Sequence, residues 1–228
     1  MRKIKVFRTG LILIGVFTVA LAACSTSTPE VPATVDLPTL EEDITIVDST
    51  TDGDPVAIDY AFSGISATDL SEVEAAGLSY MREEEKVARD VYLMLYEQWG
   101  IQIFKNIAEA EETHMAAVAE LLDRYGLTDP AADTAVGVFT NPELQALYDQ
   151  LLEEGRQSLA AALRVGALVE EVDIVDLDNY IAQTDNEDVL LVYRNLLKGS
   201  QNHLRALIST LERQTGEIYQ LQLLEADE

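Results

Sequence analysis

The sequence predicts an all-α helical bundle, and three observations carry that expectation. From Ser71 onward, apolar residues recur at spacings of three and four, the period of one helix face. Helix start and stop residues punctuate these runs. No Val/Ile/Thr alternation in the region is long enough for a sheet. With 228 residues, 48% of them hydrophobic, the chain suits one domain with appendages and has ample material for a core.

Ser71-x-x-Glu74 has the form of a capping box and opens a helix running to Trp99, with Gly100 as its stop signal. A second helix spans about Ile103 to Tyr125 and is closed by Gly126. Leu127 to Thr140 is a loop containing Pro130 and Gly137. Asn141-Pro142 sets an N-cap before a proline in the first helical position. The helix that follows has a break near Gly155 and runs to about Asp173. Asp173 and Asp176 are placed to start a short extra turn through Ile181. A last long helix runs from about Asn186 to Gln214, with Gly216 beyond it. Four main helices with one short additional helix make the bundle.

The charge balance is 15 basic against 41 acidic residues, a formal net charge of −26. That excess argues against nucleic acid, whose phosphates require Lys and Arg. It suits a soluble domain tolerant of cations.

Ahead of the bundle, Arg2, Lys3, Lys5 and Arg8 form a positive segment, and Leu11 to Ala22 is an uncharged apolar run. This is the form of a secretory signal peptide. Leu21-Ala22-Ala23-Cys24 resembles a bacterial lipobox, which implies cleavage before Cys24 and lipidation of that residue, the chain's one cysteine. The alternative is an ordinary signal peptide with a cysteine nearby. Removing residues 1–23 takes away four basic and no acidic residues, leaving 11 basic against 41 acidic and a net charge of −30. Residues 24–68 are rich in Ser, Thr, Pro and Asp and read as a disordered tether, within which the short Ile44-Thr-Ile-Val47 run has the composition to pair as a strand. The expected organisation is a signal peptide (1–23), a tether (24–68), the bundle (69–219) and an acidic tail (220–228). The protein is expected outside the cytoplasm, anchored to a bacterial membrane through Cys24.

The chemistry lies on the apolar stripes. In the second helix Phe104, Ile107, Glu111, His114, Val118 and Leu121 share one face. Glu111 and His114 are its two polar members, one turn apart. A buried carboxylate costs several kcal/mol unless it is compensated, and a coordinated cation removes that cost. His203, one of the chain's two histidines, sits in the stripe Leu196, Ser200, His203, Leu207. The first helix offers Met81, Glu85, Ala88, Tyr92, Leu95 and Trp99. The third offers Leu163, Ala167, Glu170, Ile174 and Leu177. Each main helix therefore carries a metal-ligand type on its apolar face, as carboxylate-rich metal bundles do. Tyr92 either bonds a ligand or takes part in redox chemistry, or simply fills core. The runs Glu83-Glu84-Glu85 and Glu153-Glu154 read as solvated faces, Glu85 excepted. Arg89 and Arg205 read as neutralising buried acids.

Glu85-x-x-Ala88-Arg89-x-x-Tyr92 followed by Glu111-x-x-His114 resembles the first half of a ferritin-like, rubrerythrin-like di-iron bundle. More closely, Met81-Arg-Glu-Glu-Glu-Lys-Val-Ala-Arg-Asp-Val-Tyr92, Ala110-Glu-Glu-Thr-His-Met115, Gly166-Ala-Leu-Val-Glu-Glu-Val-Asp-Ile-Val-Asp-Leu177 and Gly199-Ser-Gln-Asn-His-Leu-Arg205 resemble the uncharacterised ferritin-like family called domain of unknown function 2202. The likeness spans about Ser71 to Tyr219. It implies a ferritin-like fold and a metal site, and no reaction.

The resemblance implies that Glu85 is a terminal carboxylate, with Glu84 its rival. It implies that Glu111 bridges, that His114 and His203 ligate, and that Glu170 is the third-helix carboxylate; Glu171, directed towards Arg164 and Asp178, reads as surface. The symmetrical pattern would place Glu three residues before His203, where this chain has Ser200. Either a second metal is weakly held, or water or Asp173 fills the gap, or one metal binds. The donors suit iron, manganese or zinc without choosing among them, and the resemblance to di-iron bundles puts iron first. Dioxygen or peroxide is the natural small substrate of an iron or manganese site. Whether the protein is an enzyme, a non-catalytic scaffold or a metal buffer stays open at this point, as does a homodimer.

Overall fold

The computed structural model describes Phe62, Ile65, Ala67 and residues 69–224. The signal peptide, Cys24 and nearly all of the expected tether lie outside the described residues, as do residues 225–228. Among the described residues all regular structure is helical: α1 (Glu72–Trp99), α2 (Gln102–Arg124), α3 (Pro142–Gly155), α4 (Leu159–Ile181) and α5 (Glu187–Thr215). None of these helices is long and apolar enough to cross a membrane.

The local signals form as the chemistry requires. Ser71 Oγ accepts from the Glu74 N–H, and the Glu74 carboxylate accepts from the Ser71 N–H, closing both halves of the capping box. Gly100 ends α1 in the left-handed conformation, with φ 64°. Asn141 caps α3 ahead of Pro142, and Ser158 caps α4 through the Ala161 N–H. One expectation is corrected. No separate turn begins at Asp173, because α4 continues through it to Ile181. The break near Gly155 is a full one, so the short additional helix is α3.

The helices pack as two pairs, α1 with α2 and α4 with α5. The pairs meet through α1 on α4 and α2 on α5, while α3 covers α1 and α4. Glu170 of α4 approaches His203 of α5, and Asp173 approaches Ser200. Three residues up α4 are thus three residues down α5, so the two run antiparallel.

Its central position buries α1 on every side from Met81 to Ala88. One of its faces holds the loop between α2 and α3. Glu83 accepts from the Thr140 and Asn141 backbone N–H groups and the Thr140 hydroxyl. Lys86 Nζ donates to the Ala135 and Val138 carbonyls and pairs with Asp90 at 2.6 Å. Asp90 in turn accepts from the Gly137 N–H. The expectation that Glu83 and Glu84 face solvent is therefore corrected: both are buried. Glu171 is corrected likewise. It is fully buried and accepts from Tyr219 Oη and the backbone N–H groups of Gln222, Leu223 and Leu224, tying the C-terminal segment to α4.

Candidate metal centre

Four helices bring Glu85 (α1), Glu111 and His114 (α2), Glu170 (α4) and His203 (α5) together in the interior. The three-and-four spacing that buries Phe104, Ile107, Val118 and Leu121 turns Glu111 and His114 inward with them. Glu85, Glu111 and Glu170 are each about 1% exposed.

Glu111 is the hub. Its Oε2 lies 2.7 Å from His114 Nδ1, and its Oε1 lies 2.9 Å from His203 Nδ1. Glu85 Oε2 approaches His114 Nδ1 at 3.3 Å, and Glu170 Oε2 approaches His203 Nδ1 at 3.4 Å. Two clusters result, Glu85–Glu111–His114 and Glu111–Glu170–His203. Within each, the donor atoms all lie within 4.8 Å of one another. The imidazole rings stack with centroids 5.6 Å apart. Glu85, not its neighbour Glu84, is the α1 carboxylate of the set.

Buried polar groups normally find partners. Here His203 Nδ1 makes no hydrogen bond despite the 2.9 Å approach of Glu111, and Glu85 Oε1 and Asp173 Oδ1 are also buried without one. The atoms converge on shared space rather than along an N–H axis. Such donors fit a divalent cation bound by oxygen and imidazole.

The electrostatics agree with a site built around opposite charge. Burial alone would raise the Glu111 carboxyl, but the two imidazolium groups outweigh it and hold Glu111 well below the usual range. Burial opposes a charged His203, yet Glu111 and Glu170 overcome it and raise the imidazole to about 10. His114 is likewise raised, against burial, by Glu111 and Glu85. Burial and then the Asp173 charge push Glu85 up, with His114 offsetting part of the rise. Burial also raises Glu170. A cation entering at neutral pH therefore displaces protons from the imidazoles.

Four further residues, Tyr92, Asp173, Ser200 and Glu84, surround these donors. Tyr92 is fully buried, and its hydroxyl donates to Glu170 and lies 3.0 Å from the Gly166 carbonyl. Burial and the Glu170 charge keep that phenol protonated. Ser200 donates to Asp173, which burial pushes up to about 7. Glu84 is buried with both oxygens unpaired, and burial and the Asp176 and Asp173 charges push its carboxyl well up. The i, i+3 spacing of Glu170 and Asp173, matching that of Glu111 and His114, was the available signal for Asp173. Arg89 neutralises the buried Asp90 and reaches Glu112, whereas Arg205 bonds Asn202 at the surface.

The model of the family described as "Uncharacterized protein domain (DUF2202)" matches residues 74–228. The chain is 50% identical over 166 residues to "Uncharacterized protein MJ0754" of Methanocaldococcus jannaschii, covering 73% of this chain and 89% of that protein. A solved structure, "Crystal structure of hypothetical protein MJ0754 from Methanococcus jannaschii DSM 2661", superposes with a TM-score of 0.70 at 50% identity. The match covers 72% of this chain and 93% of that one.

Proposed function

The chain belongs to the DUF2202 family, and from that premise we propose that it is a ferritin-like metal-binding protein carried on a lipid anchor at Cys24. The observation that carries the metal reading is Glu111, whose two carboxylate oxygens face two different histidines, His114 on its own helix and His203 on α5. Glu85, Glu111, His114, Glu170 and His203 are the residues that would hold the metal. Iron is the preferred ion, with manganese or zinc accommodated by the same donors. A bound iron or manganese ion would supply electron-transfer chemistry towards dioxygen or peroxide.

The protein's own contribution is positioning and exclusion of water. Tyr92 fixes Glu170 through its hydroxyl. Val118, Leu121, Leu196 and Leu207 seal the stripes from which the donors project. The N-terminal signals support a protein outside the cytoplasm and held to a bacterial membrane, with residues 24–68 as its tether, the bundle over 69–219 and the acidic segment 220–228 beyond it. A second reading, a scaffold or metal buffer without redox turnover, is favoured by Ser200 standing where a symmetrical site would have a carboxylate.

The test is metal content. Full-length protein purified in detergent without chelator and supplied with Fe(II), Mn(II) or Zn(II) should retain metal by elemental analysis. Glu111→Ala and His114→Ala should each lower occupancy at least tenfold. Retention of none of the three metals by the unmodified chain sinks the proposal. Consumption of dioxygen or peroxide by the loaded protein separates the redox reading from the buffer. Cys24→Ser should release the protein from membranes.

A further inference from the structure

We propose that Asp173 is a metal ligand, taking over from α4 the carboxylate position that α5 leaves to Ser200, and that the centre therefore holds two metal ions. This deepens the metal-binding reading above and rests on it.

The packing register carries the inference. Glu170 and Asp173 stand one turn apart on α4, and His203 and Ser200 stand one turn apart on the antiparallel α5. Glu170 faces His203, and Asp173 faces Ser200. The site thus has two layers. One holds Glu170 and His203, with Tyr92 bonded to Glu170. The other holds Asp173 and Ser200 from α4 and α5, and the Asp173 charge acts on Glu85 of α1, which approaches His114 of α2. Glu111 spans the two layers, one oxygen to each histidine.

A carboxylate at position 200 would enter the second layer from α5. The Ser200 hydroxyl bonds Asp173 there instead, so the Asp173 carboxylate occupies the same layer from the neighbouring helix. Asp173 is about 5% exposed. Its Oδ2 accepts from Ser200, and its Oδ1 is buried with no partner. On α1, Glu85 Oε1 and both Glu84 oxygens are likewise buried without a partner. Buried, unpaired carboxylate oxygens are costly without a cation to compensate them. The serine is then a positioning residue, since its hydroxyl spends one Asp173 oxygen on a hydrogen bond and leaves the other free. With Asp173 included, the donors are four carboxylates and two imidazoles.

The experiment is a Co(II) titration of metal-free full-length protein, read by visible absorption and checked by elemental analysis. The unmodified chain should bind two equivalents, Asp173→Asn one, and Asp173→Ala combined with Ser200→Glu two again. Ser200→Ala should keep two equivalents but weaken the second about 10- to 100-fold, the usual effect of losing a group that orients a ligand. Far-ultraviolet circular dichroism verifies that each variant stays helical. Two equivalents in Asp173→Asn overturn the inference, as does one equivalent in the unmodified chain, and either result leaves the metal-binding reading standing. A double variant that stays at one equivalent overturns the exchange of positions between α4 and α5. Failure of the unmodified chain to bind Co(II), Fe(II), Mn(II) or Zn(II) removes the metal-binding reading itself.

Discussion

Gly199 shows how closely the site is shaped at the level of single atoms. A Cβ there would lie 2.6 Å from His114 Cε1 and Nε2, closer than side chains approach. The other edge of that ring faces Glu111 and Glu85, so it has little room to retreat. Helix propensity alone favours Gly199→Ala by about 1 kcal/mol. The steric effect on the ring should win for function. Gly199→Ala is expected to remain helical but to lose at least about tenfold in metal affinity, as ligands displaced from their support do. Unchanged affinity by isothermal titration would show that His114 is not a ligand in this orientation. The residue types of the site were readable beforehand, since Glu and His on an apolar stripe need a reason to be there. The small residue that admits the imidazole was not, because Gly199 lies on a different helix from His114 and no local spacing connects them.

At the scale of elements, the start of α1 is also where α1 meets α5. Glu74 closes the capping box and accepts hydrogen bonds from Thr184 Oγ1 and, at 2.8 Å, from Asn186 Nδ2 at the head of α5. Burial would raise its carboxyl, but the Thr184, Ser71 and Asn186 bonds overcome this and lower it to about 2 from 4.5. A carboxyl lowered in the folded state contributes stability that is fully present above pH 4.5 and lost as the pH falls through about 2. Glu74→Gln should therefore destabilise the protein at pH 6 and matter progressively less on acidification. A gap between the two denaturation midpoints that stays constant from pH 6 to pH 2 would count against this role. The capping box itself was legible because its partners are three residues apart. Its second use, joining α1 to α5, depends on residues more than a hundred positions away. The continuity of α4 escapes local reading for the same reason: Asp173 and Asp176 look like helix starters, but Asp173 is paired with Ser200 of α5, and Asp176 lies against Glu84 and Tyr80 of α1.

For the whole molecule, the decisive quantity is the number of acids placed inside. Glu83, Glu84, Glu85, Asp90, Glu111, Glu170, Glu171, Asp173 and Asp188 are all buried. Four of the nine are satisfied by a cation or by backbone N–H groups: Glu83 by the α2–α3 loop, Asp90 by Lys86, Asp188 by Arg124 and Glu171 by the C-terminal segment. Those of the centre are left to the imidazoles. A metal that binds only the folded state adds about 2.7 kcal/mol at one hundred times its dissociation constant. For a domain of this size that is about 5–10 °C in melting temperature. Chelation should lower the melting temperature by that amount, and re-addition of metal should restore it. Identical melting curves with and without chelator would argue that the folded chain holds no metal of consequence.

The sequence by itself determined the all-helical class, the caps and breaks at Ser71, Gly100, Asn141 and Gly155, and the presence of Glu and His on the apolar stripes, because each depends on interactions within a turn or two of helix. Tertiary structure alone decided which other acids are interior. Glu83 and Glu84 looked solvent-facing because one helix exposes the side opposite its apolar stripe. They are buried because α1 is enclosed by four other pieces of the chain, the α2–α3 loop among them. Glu171 is buried because the segment after α5 folds back onto it. Periodicity reports one face of one helix, and the number of faces a helix buries is set by how many neighbours the fold gives it.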